Sequence, residues 1–486
     1  MFRVVKRIKE CRIALIEWNK SLKGNTKAKI QELKEKLRSV REGNEPCNKG
    51  VITTLKLQLS KAYKDEELFW SQKSRSRWLK EGDKNTAYCH LSVMAARKRN
   101  NISILQKANG EWCTSAEEIE AEISEHYAEL FNSSNPSEFE EVLQGIPSTI
   151  SNLVNIQLIK PVTDLEIKQA IFSMFPNKAP GVDGMPPLFF QTYWHIIKND
   201  IVHAVTSFFH SGNILSAINE TIISLIPKVD NPVVISNYRP ISLCTVLYKT
   251  ISKILANRIK KILVHCINPS QSAFVPGRQI LDNAVIAHEV LHFLKNKRGG
   301  RVGFMALKLD MSKAYDRVEW KFLGRIMLHM GFCPTFVRWI MTCISTVSYS
   351  FNLNGQKVGY IKPSRGLRQG DPLSPYLFII CTERLSNLIK KAVDSKQLTG
   401  IKVCKDSPMI YHLFFADDAL LCCKASKEEA KKVKEIIQTY GEDKGKGGKG
   451  EKRGRVGRKK REKRSGGEMR EGLGKGREEE RGKELG

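Results

Sequence analysis

Phe304-Met-Ala-Leu-Lys-Leu-Asp310 and Leu413-Phe-Phe-Ala-Asp417-Asp418-Ala-Leu-Leu421 are the two stretches from which the fold is read. The first is an apolar strand that runs into a single carboxylate, and the second sets adjacent carboxylates between two apolar runs. That second pattern is a hairpin whose expected turn is Asp417-Asp418. A carboxylate at the lip of a sheet is well placed to hold a hard cation, because Mg²⁺ prefers oxygen ligands. Two such ions about 3.5–4 Å apart can clamp the attacking and leaving oxygens of a phosphoryl transfer. Three convergent carboxylates without cations or protons would repel one another. Taken singly, an Asp-Asp turn or an Asp ending a strand is ordinary, so the surroundings have to decide.

Working outward, residues from about Ile201 to Tyr440 alternate apolar strands with longer helices, an α/β pattern. Thr163-Asp164 is a helix cap before a helix expected over 165–174, and Asn132-Ser-Ser-Asn-Pro-Ser137 reads as a turn-rich linker. Val4, Ile8, Cys11, Leu15 and Trp18 recur at helical spacing, as do Ile30, Leu33, Leu37 and Val40, giving two amphipathic helices divided at Gly24-Asn25.

The chain has 486 residues, enough for about three domains, and its 80 Lys and Arg against 51 Asp and Glu leave a net charge of +29. A polyanionic partner is expected. No apolar run approaches the roughly 18 residues of a spanning helix, and the charged start has no apolar signal core, so nucleic acid fits better than a membrane. Twelve scattered cysteines without a CxxC point to reduced thiols inside a cell and exclude a zinc knuckle or finger. Between Lys73 and Arg99 eight basic residues, among them Arg75, Arg77, Arg97 and Lys98, stand against two acidic ones and are interleaved with Trp70, Trp78, Tyr88 and His90. Such a stretch neutralises phosphates while rings stack on bases, or else is a solvated helix face with its aromatics turned to the core.

Seven motifs occur in one order: Asn177-Lys-Ala-Pro-Gly-Val-Asp-Gly184, Ile226-Pro-Lys228, Asn237-Tyr-Arg-Pro-Ile-Ser-Leu243, Gln271-Ser-Ala-Phe-Val-Pro-Gly-Arg278, the Asp310 segment, Gly366-Leu-Arg-Gln-Gly-Asp-Pro-Leu-Ser-Pro375 and Phe415-Ala-Asp-Asp418. Together they resemble the reverse transcriptase of LINE-type non-LTR retrotransposons, closest to the plant branch, over roughly residues 1–440. The resemblance implies an α/β (α+β) right-hand polymerase with palm and fingers, a helical N-terminal extension and a disordered C-terminal tail. The implied divisions are 1–131 for the basic helical extension, 138–208 for a fingers-proximal helical segment, 209–440 for the reverse transcriptase domain and 441–486 for the tail.

The same resemblance implies the roles. Asp310 and Asp417 would hold two Mg²⁺ or Mn²⁺ ions with Asp418 beside them. Tyr315 would lie under the incoming sugar and exclude a 2′-hydroxyl, and Gln369-Gly370 would line the nucleotide pocket. Lys228 and Arg239 would hold the triphosphate of a dNTP, the arginine through its fork. Leu377, Phe378 and Glu383, on a helix started by Ser374-Pro375, would be scaffold. The partners would be an RNA template and a DNA primer, in the nucleus or a cytoplasmic ribonucleoprotein. A non-catalytic nucleic-acid-binding remnant is the alternative.

His288-Glu-Val-Leu-His292 satisfies HExxH, which on a helix sets two imidazoles on one face for zinc. It lacks a third ligand at the expected offset, and a protease is not the expected reading; no structural zinc is expected either. Residues 441–486 contain 14 Gly, 9 Lys, 8 Arg and 9 Glu, a composition that cannot build a core. All four types are encodable by purines alone, so a stretch read in a foreign frame is expected, with a basic RNA-binding tail as the rival. The resemblance calls for an endonuclease ahead of the polymerase and for a lysine-bearing strand and a thumb after Tyr440. Neither is expected in these 486 residues, so the chain is expected to be a poor polymerase.

Overall fold

The computed structural model describes residues 1–21, 26–42, 49–74, 86–136, 143, 145–297, 299 and 303–443. In chain order its strands are β1 (Leu105–Gln106), β2 (Trp112–Cys113), β3 (Glu220–Pro227), β4 (Tyr238–Cys244), β5 (Phe304–Asp310), β6 (Ser348–Leu353), β7 (Gln356–Ile361), β8 (His412–Phe415) and β9 (Asp418–Lys424). They form a three-stranded sheet of order β5-β9-β8, a four-stranded sheet of order β4-β3-β6-β7, and the pair β1-β2. The Asp310 strand is therefore an edge strand, antiparallel to β9 along its whole length.

In the four-stranded sheet, side chains alternate between faces, as the two-residue period of a strand requires. Along β3, Thr221, Ile223 and Leu225 are buried while their neighbours are not. Pro240 sits in β4 opposite Leu225. Proline lacks the N–H of a ladder and is tolerated there because β4 is an edge.

One long helix joins the two sheets' cores. Ser374–Asp394 begins with proline in its first turn, where the missing N–H costs nothing. Its first half, through Leu377, Phe378 and Cys381, belongs to the large apolar core, and its second half, through Leu385, Ile389 and Ala392, packs with Phe414, Ala419 and Leu421 of the β8–β9 hairpin. Each of the leucine, isoleucine and phenylalanine side chains contributes about 1.5–3 kcal/mol by leaving water.

The Ala116–Leu130 helix is started by a capping box, Ser115 accepting from the Glu118 amide while the Glu118 carboxylate accepts from the Ser115 amide. It buries Ile119, Ile123, Tyr127 and Leu130, one stripe at helical spacing, with the Tyr127 ring 5.1 Å from Phe351. The linker after it is tied down rather than free. Ser133 accepts no such freedom because its N–H donates to Ser364 Oγ at 2.7 Å and its hydroxyl bonds Glu319. The large apolar core draws on residues either side of this linker, Tyr127 and Phe131 before and Ile150, Phe208, Phe209 and Ile218 after.

Other local expectations hold with small shifts. Thr163 caps Asp164–Phe172 by accepting from the Glu166 amide at 3.2 Å, and the helix stops two residues before the expected Met174, Ser173 serving as its C-cap. The two N-terminal helices are Phe2–Ser21 and Thr26–Glu42, and the break between them lies outside the described residues. The last helix, Lys427–Asp443, passes Tyr440 by three residues; the remainder of the tail lies outside the described residues. Among the described residues no helix is long and apolar enough to cross a membrane.

Candidate active site

The hairpin forms, but its turn is displaced by one residue from the expected one. Phe415 pairs with Asp418, so the loop is Ala416-Asp417 and Asp418 is the first residue of β9. Two-residue hairpin loops ask for a positive φ at their first residue, and Ala416 supplies it at 62°. The register of β5 and β9 puts Asp310 directly opposite Asp418, on the same sheet face, where like charges repel. Lys308, two residues earlier in β5 and therefore also on that face, offsets this with its Nζ 3.4 Å from Asp418 Oδ1. Asp310 and Asp417 line a cavity of about 620 Å³; Asp418, turned to Lys308, does not.

The loop is held from below by the Gln271–Arg278 segment. Gln271 is fully buried, and its Oε1 accepts from the amides of Ala273 at 3.0 Å and Ala416 at 3.2 Å. Asn283 Nδ2 donates to the Phe414 carbonyl at 3.0 Å, and the Arg278 guanidinium donates to the carbonyls of Ile267, Asn268 and Gln271.

The floor of the cavity is the segment after Asp310. Tyr315 stacks on Phe378 with ring centroids 4.8 Å apart, and burial with the nearby Asp417 charge pushes its hydroxyl up to about 12. Its carbonyl accepts from Leu367 N at 2.7 Å, while Gly366 N donates to Val318 at 2.8 Å. Gly366 has φ 99°, and a Cβ there would stand 2.8 Å from the Asp316 carbonyl, so the close approach requires glycine. Asp316 is buried beside the cavity, and burial raises its carboxyl to about 6 against the opposing pull of Lys313 and a Gln369 hydrogen bond.

Gln369 and Gly370 line the same cavity, pinned to β4 by Ser242 N donating to the Gln369 carbonyl at 2.9 Å. Beneath them Arg368 and Asp371 are both buried. Arg368 donates to Asn219 Oδ1 at 2.7 Å and to the Cys343 carbonyl at 2.6 Å, and lies 3.8 Å over the Tyr248 ring. Asp371 accepts from Tyr248 at 2.7 Å and from Ser252. Lys228 and Arg239 line the cavity too, Lys228 Nζ donating to the Ser236 carbonyl at 2.9 Å.

A family model described as reverse transcriptase (RNA-dependent DNA polymerase) matches residues 226–453, the span that carries both carboxylates and this cavity wall. This chain carries a reverse transcriptase domain. It is 28% identical over 428 residues to a 149 kDa protein of transposon TX1 from Xenopus laevis, covering 86% of this chain and 32% of that one. It is 60% identical over 68 residues to a mitochondrial protein of Arabidopsis thaliana, covering 14% and 56%. It is 27% identical over 236 residues to the Pol polyprotein of the type-2 retrotransposable element R2DM of Drosophila melanogaster, covering 48% and 21%. The chain thus spans between about a fifth and just over half the length of these relatives.

The donor set of the reverse transcriptase cavity fits a hard divalent cation. Asp310 and Asp417 are exposed carboxylates at its edge, and Mg²⁺ is commonly held by one or two carboxylates together with substrate phosphates rather than by a full protein cage. No three His, Cys, Asp or Glu side chains gather around a metal position among the described residues. His288 and His292 are exposed on the Ile280–Asn296 helix, and His292 bonds Asn296 at 2.8 Å.

The basic N-terminal residues stand apart from the reverse transcriptase cavity. Arg97, Lys98 and Arg99 are exposed in the last turn of the Thr86–Asn100 helix. Lys73 lies 4.0 Å over the Phe69 ring, and Trp70 meets His90 edge-on at 4.4 Å, so those rings are partly spent on packing two helices together. Arg75 and Arg77 lie outside the described residues.

Sequence reasoning missed Asp316, Lys313, Arg368 and His126 as lining residues. Arg368 sits inside the Gly366–Pro375 motif beside Gln369, and Lys313 and Asp316 follow Asp310 by three and six residues, so their spacing was available as a signal. His126 had none.

Proposed function

We propose that this chain acts as an RNA-directed DNA polymerase, extending a DNA primer on an RNA template with dNTPs, and that the β5-β9-β8 sheet serves as its palm and the β3–β4 hairpin as part of its fingers. The observation that supports this reading is one cavity whose lining brings together Asp310 and Asp417, Lys228 and Arg239, and Tyr315, Gln369 and Gly370. Two Mg²⁺ or Mn²⁺ ions, when bound by Asp310 and Asp417 with Asp418 beside them, would supply a lowered pKa for the primer 3′-hydroxyl and neutralise charge on the departing pyrophosphate. Lys228 and Arg239 hold the triphosphate, the arginine by its fork. The Tyr315 ring, locked by Phe378, fills the space under the sugar. Gly370, with φ 101°, lets backbone approach the nucleotide where a side chain would intrude. The +29 net charge suits a long polyanion, and the reaction belongs in the nucleus or a cytoplasmic ribonucleoprotein.

Primer extension on an RNA template with dNTPs and Mg²⁺ or Mn²⁺ tests the reading. Asp310→Asn or Asp417→Asn should reduce extension by more than about 100-fold, since several kcal/mol of charge stabilisation depend on each ligand set, while RNA binding stays unchanged. RNA binding without extension by the unaltered chain in either ion would overturn it in favour of a non-catalytic nucleic-acid binder.

A further inference from the structure

The cavity has a wall that does not come from the segment matched by the reverse transcriptase model. His126, Tyr127 and Leu130 line it from the Ala116–Leu130 helix, about a hundred residues before that segment begins. His126 meets Lys313 there, its Nε2 2.9 Å from Lys313 Nζ. An ammonium can only donate, so this imidazole nitrogen is the acceptor and the ring is neutral. Burial and the adjoining Lys313 charge, which push His126 down to about 4, keep it neutral at working pH.

The choice of partner matters for what Lys313 can do. The imidazole holds the ammonium without adding a charge of its own, so that Asp316, whose carboxyl burial raises to about 6, is the first acidic group Lys313 feels. Lys228 on the same cavity follows the same rule, anchored by a backbone carbonyl. The backbone at Lys313 carries a second sign of purpose. Its φ is 53°, a left-handed conformation that a side chain with a Cβ adopts at a cost and keeps only where its surroundings over-determine it. Two residues on, the backbone is tied to the Gly366–Pro375 segment by the Leu367–Tyr315 hydrogen bond.

We propose that Lys313 is a further phosphate-binding residue of this cavity, and that His126 is a positioning residue that aims it, so that the Ala116–Leu130 helix is an integral part of the nucleotide site. The ligand class is a nucleoside triphosphate, engaged through its phosphate oxygens by Lys313 together with Lys228 and Arg239. The proposal rests on reading the cavity as a nucleotide site, but it requires no turnover.

Calorimetric titration of the full chain with dTTP and, separately, with inorganic tripolyphosphate in Mg²⁺ tests it. Lys313→Gln, which keeps a polar donor and removes the charge, should weaken both ligands about tenfold, the worth of one charge-assisted hydrogen bond. His126→Ala should weaken them by a smaller factor of about three to ten, and His126→Gln, which restores a neutral acceptor, should recover most of the loss. Urea midpoints of the variants, measured in parallel, separate aim from folding: a merely structural His126 would lower the midpoint without rescue of affinity by glutamine. Should His126→Ala fail to fold, Lys313→Gln and His126→Gln still decide. Unchanged affinity in Lys313→Gln overturns the proposal, as does His126→Gln binding as weakly as His126→Ala, or failure of the unaltered chain to bind either ligand. Triphosphate binding with the expected pattern but no primer extension would uphold it while overturning the polymerase reading.

Discussion

The side-chain oxygen of Gln271 accepts the amide hydrogen of Ala416 at 3.2 Å, across 145 residues of sequence, and so fixes the left-handed residue that points Asp417 into the cavity. The Ala416-Asp417 turn is thus held by a buried amide on a different motif, not by its own two strands alone. Gln271→Ala should leave the Ala273 and Ala416 amides without this acceptor, costing about 2–4 kcal/mol in urea unfolding. Mn²⁺ affinity measured by electron paramagnetic resonance should fall with it. An unaltered Mn²⁺ affinity would mean that the turn keeps its shape unaided. Ala416→Gly relaxes the backbone strain but also frees the unfolded chain, so its stability should stay within about 1 kcal/mol.

Tyr315 is locked against Phe378, stacked at 17° between ring planes, so its ring is a rigid floor to the cavity. Tyr315→Ala should admit ribonucleotides, reducing the preference for dNTPs by about 10- to 100-fold in single-nucleotide extension. Tyr315→Phe keeps the bulk and should leave the preference where it was. Equal discrimination by the alanine variant would remove the steric role.

Asp316 holds its proton more tightly in the folded chain than in the unfolded one, burial raising it from 3.8 to about 6. The stability it contributes is therefore fully present below about pH 4 and is lost as the pH rises to about 6. Between pH 4 and pH 7 the unfolding free energy of the protein should fall relative to Asp316→Asn by about 2 kcal/mol, since asparagine mimics the protonated acid and does not titrate. Urea titrations at pH 4, 5, 6 and 7 in a chelating buffer check this, and parallel curves for the two proteins would show that Asp316 is solvated.

Arg97, Lys98 and Arg99 project from one helix end into solvent, where cations also suit the carbonyl pole of the helix. If they contact phosphates, replacing all three with alanine should flatten the log–log salt dependence of single-stranded RNA binding by about 2 units. A slope that does not move would place the RNA surface elsewhere on the chain.

The local part of this protein was legible in its sequence. An apolar run ending in Asp310, a hairpin around Asp417, a proline-started helix at Ser374 and a cap at Thr163 all depend on neighbours within a few residues, and periods of 2.0 or 3.6 report such neighbours directly. The seven ordered motifs carried the family in the same way. Partnership over distance was not legible, because a period tells which face a side chain occupies and nothing about what will cover that face. One residue of register decided that Asp417 lies in the turn and Asp418 in the strand opposite Asp310, where Lys308 meets it. Packing alone brought Gln271 under Ala416, Arg368 onto Asn219 across 149 residues, and His126 to Lys313 across 187. These contacts form because buried polar groups must find partners wherever the apolar core has brought the chain, and that choice is made only when the whole core closes.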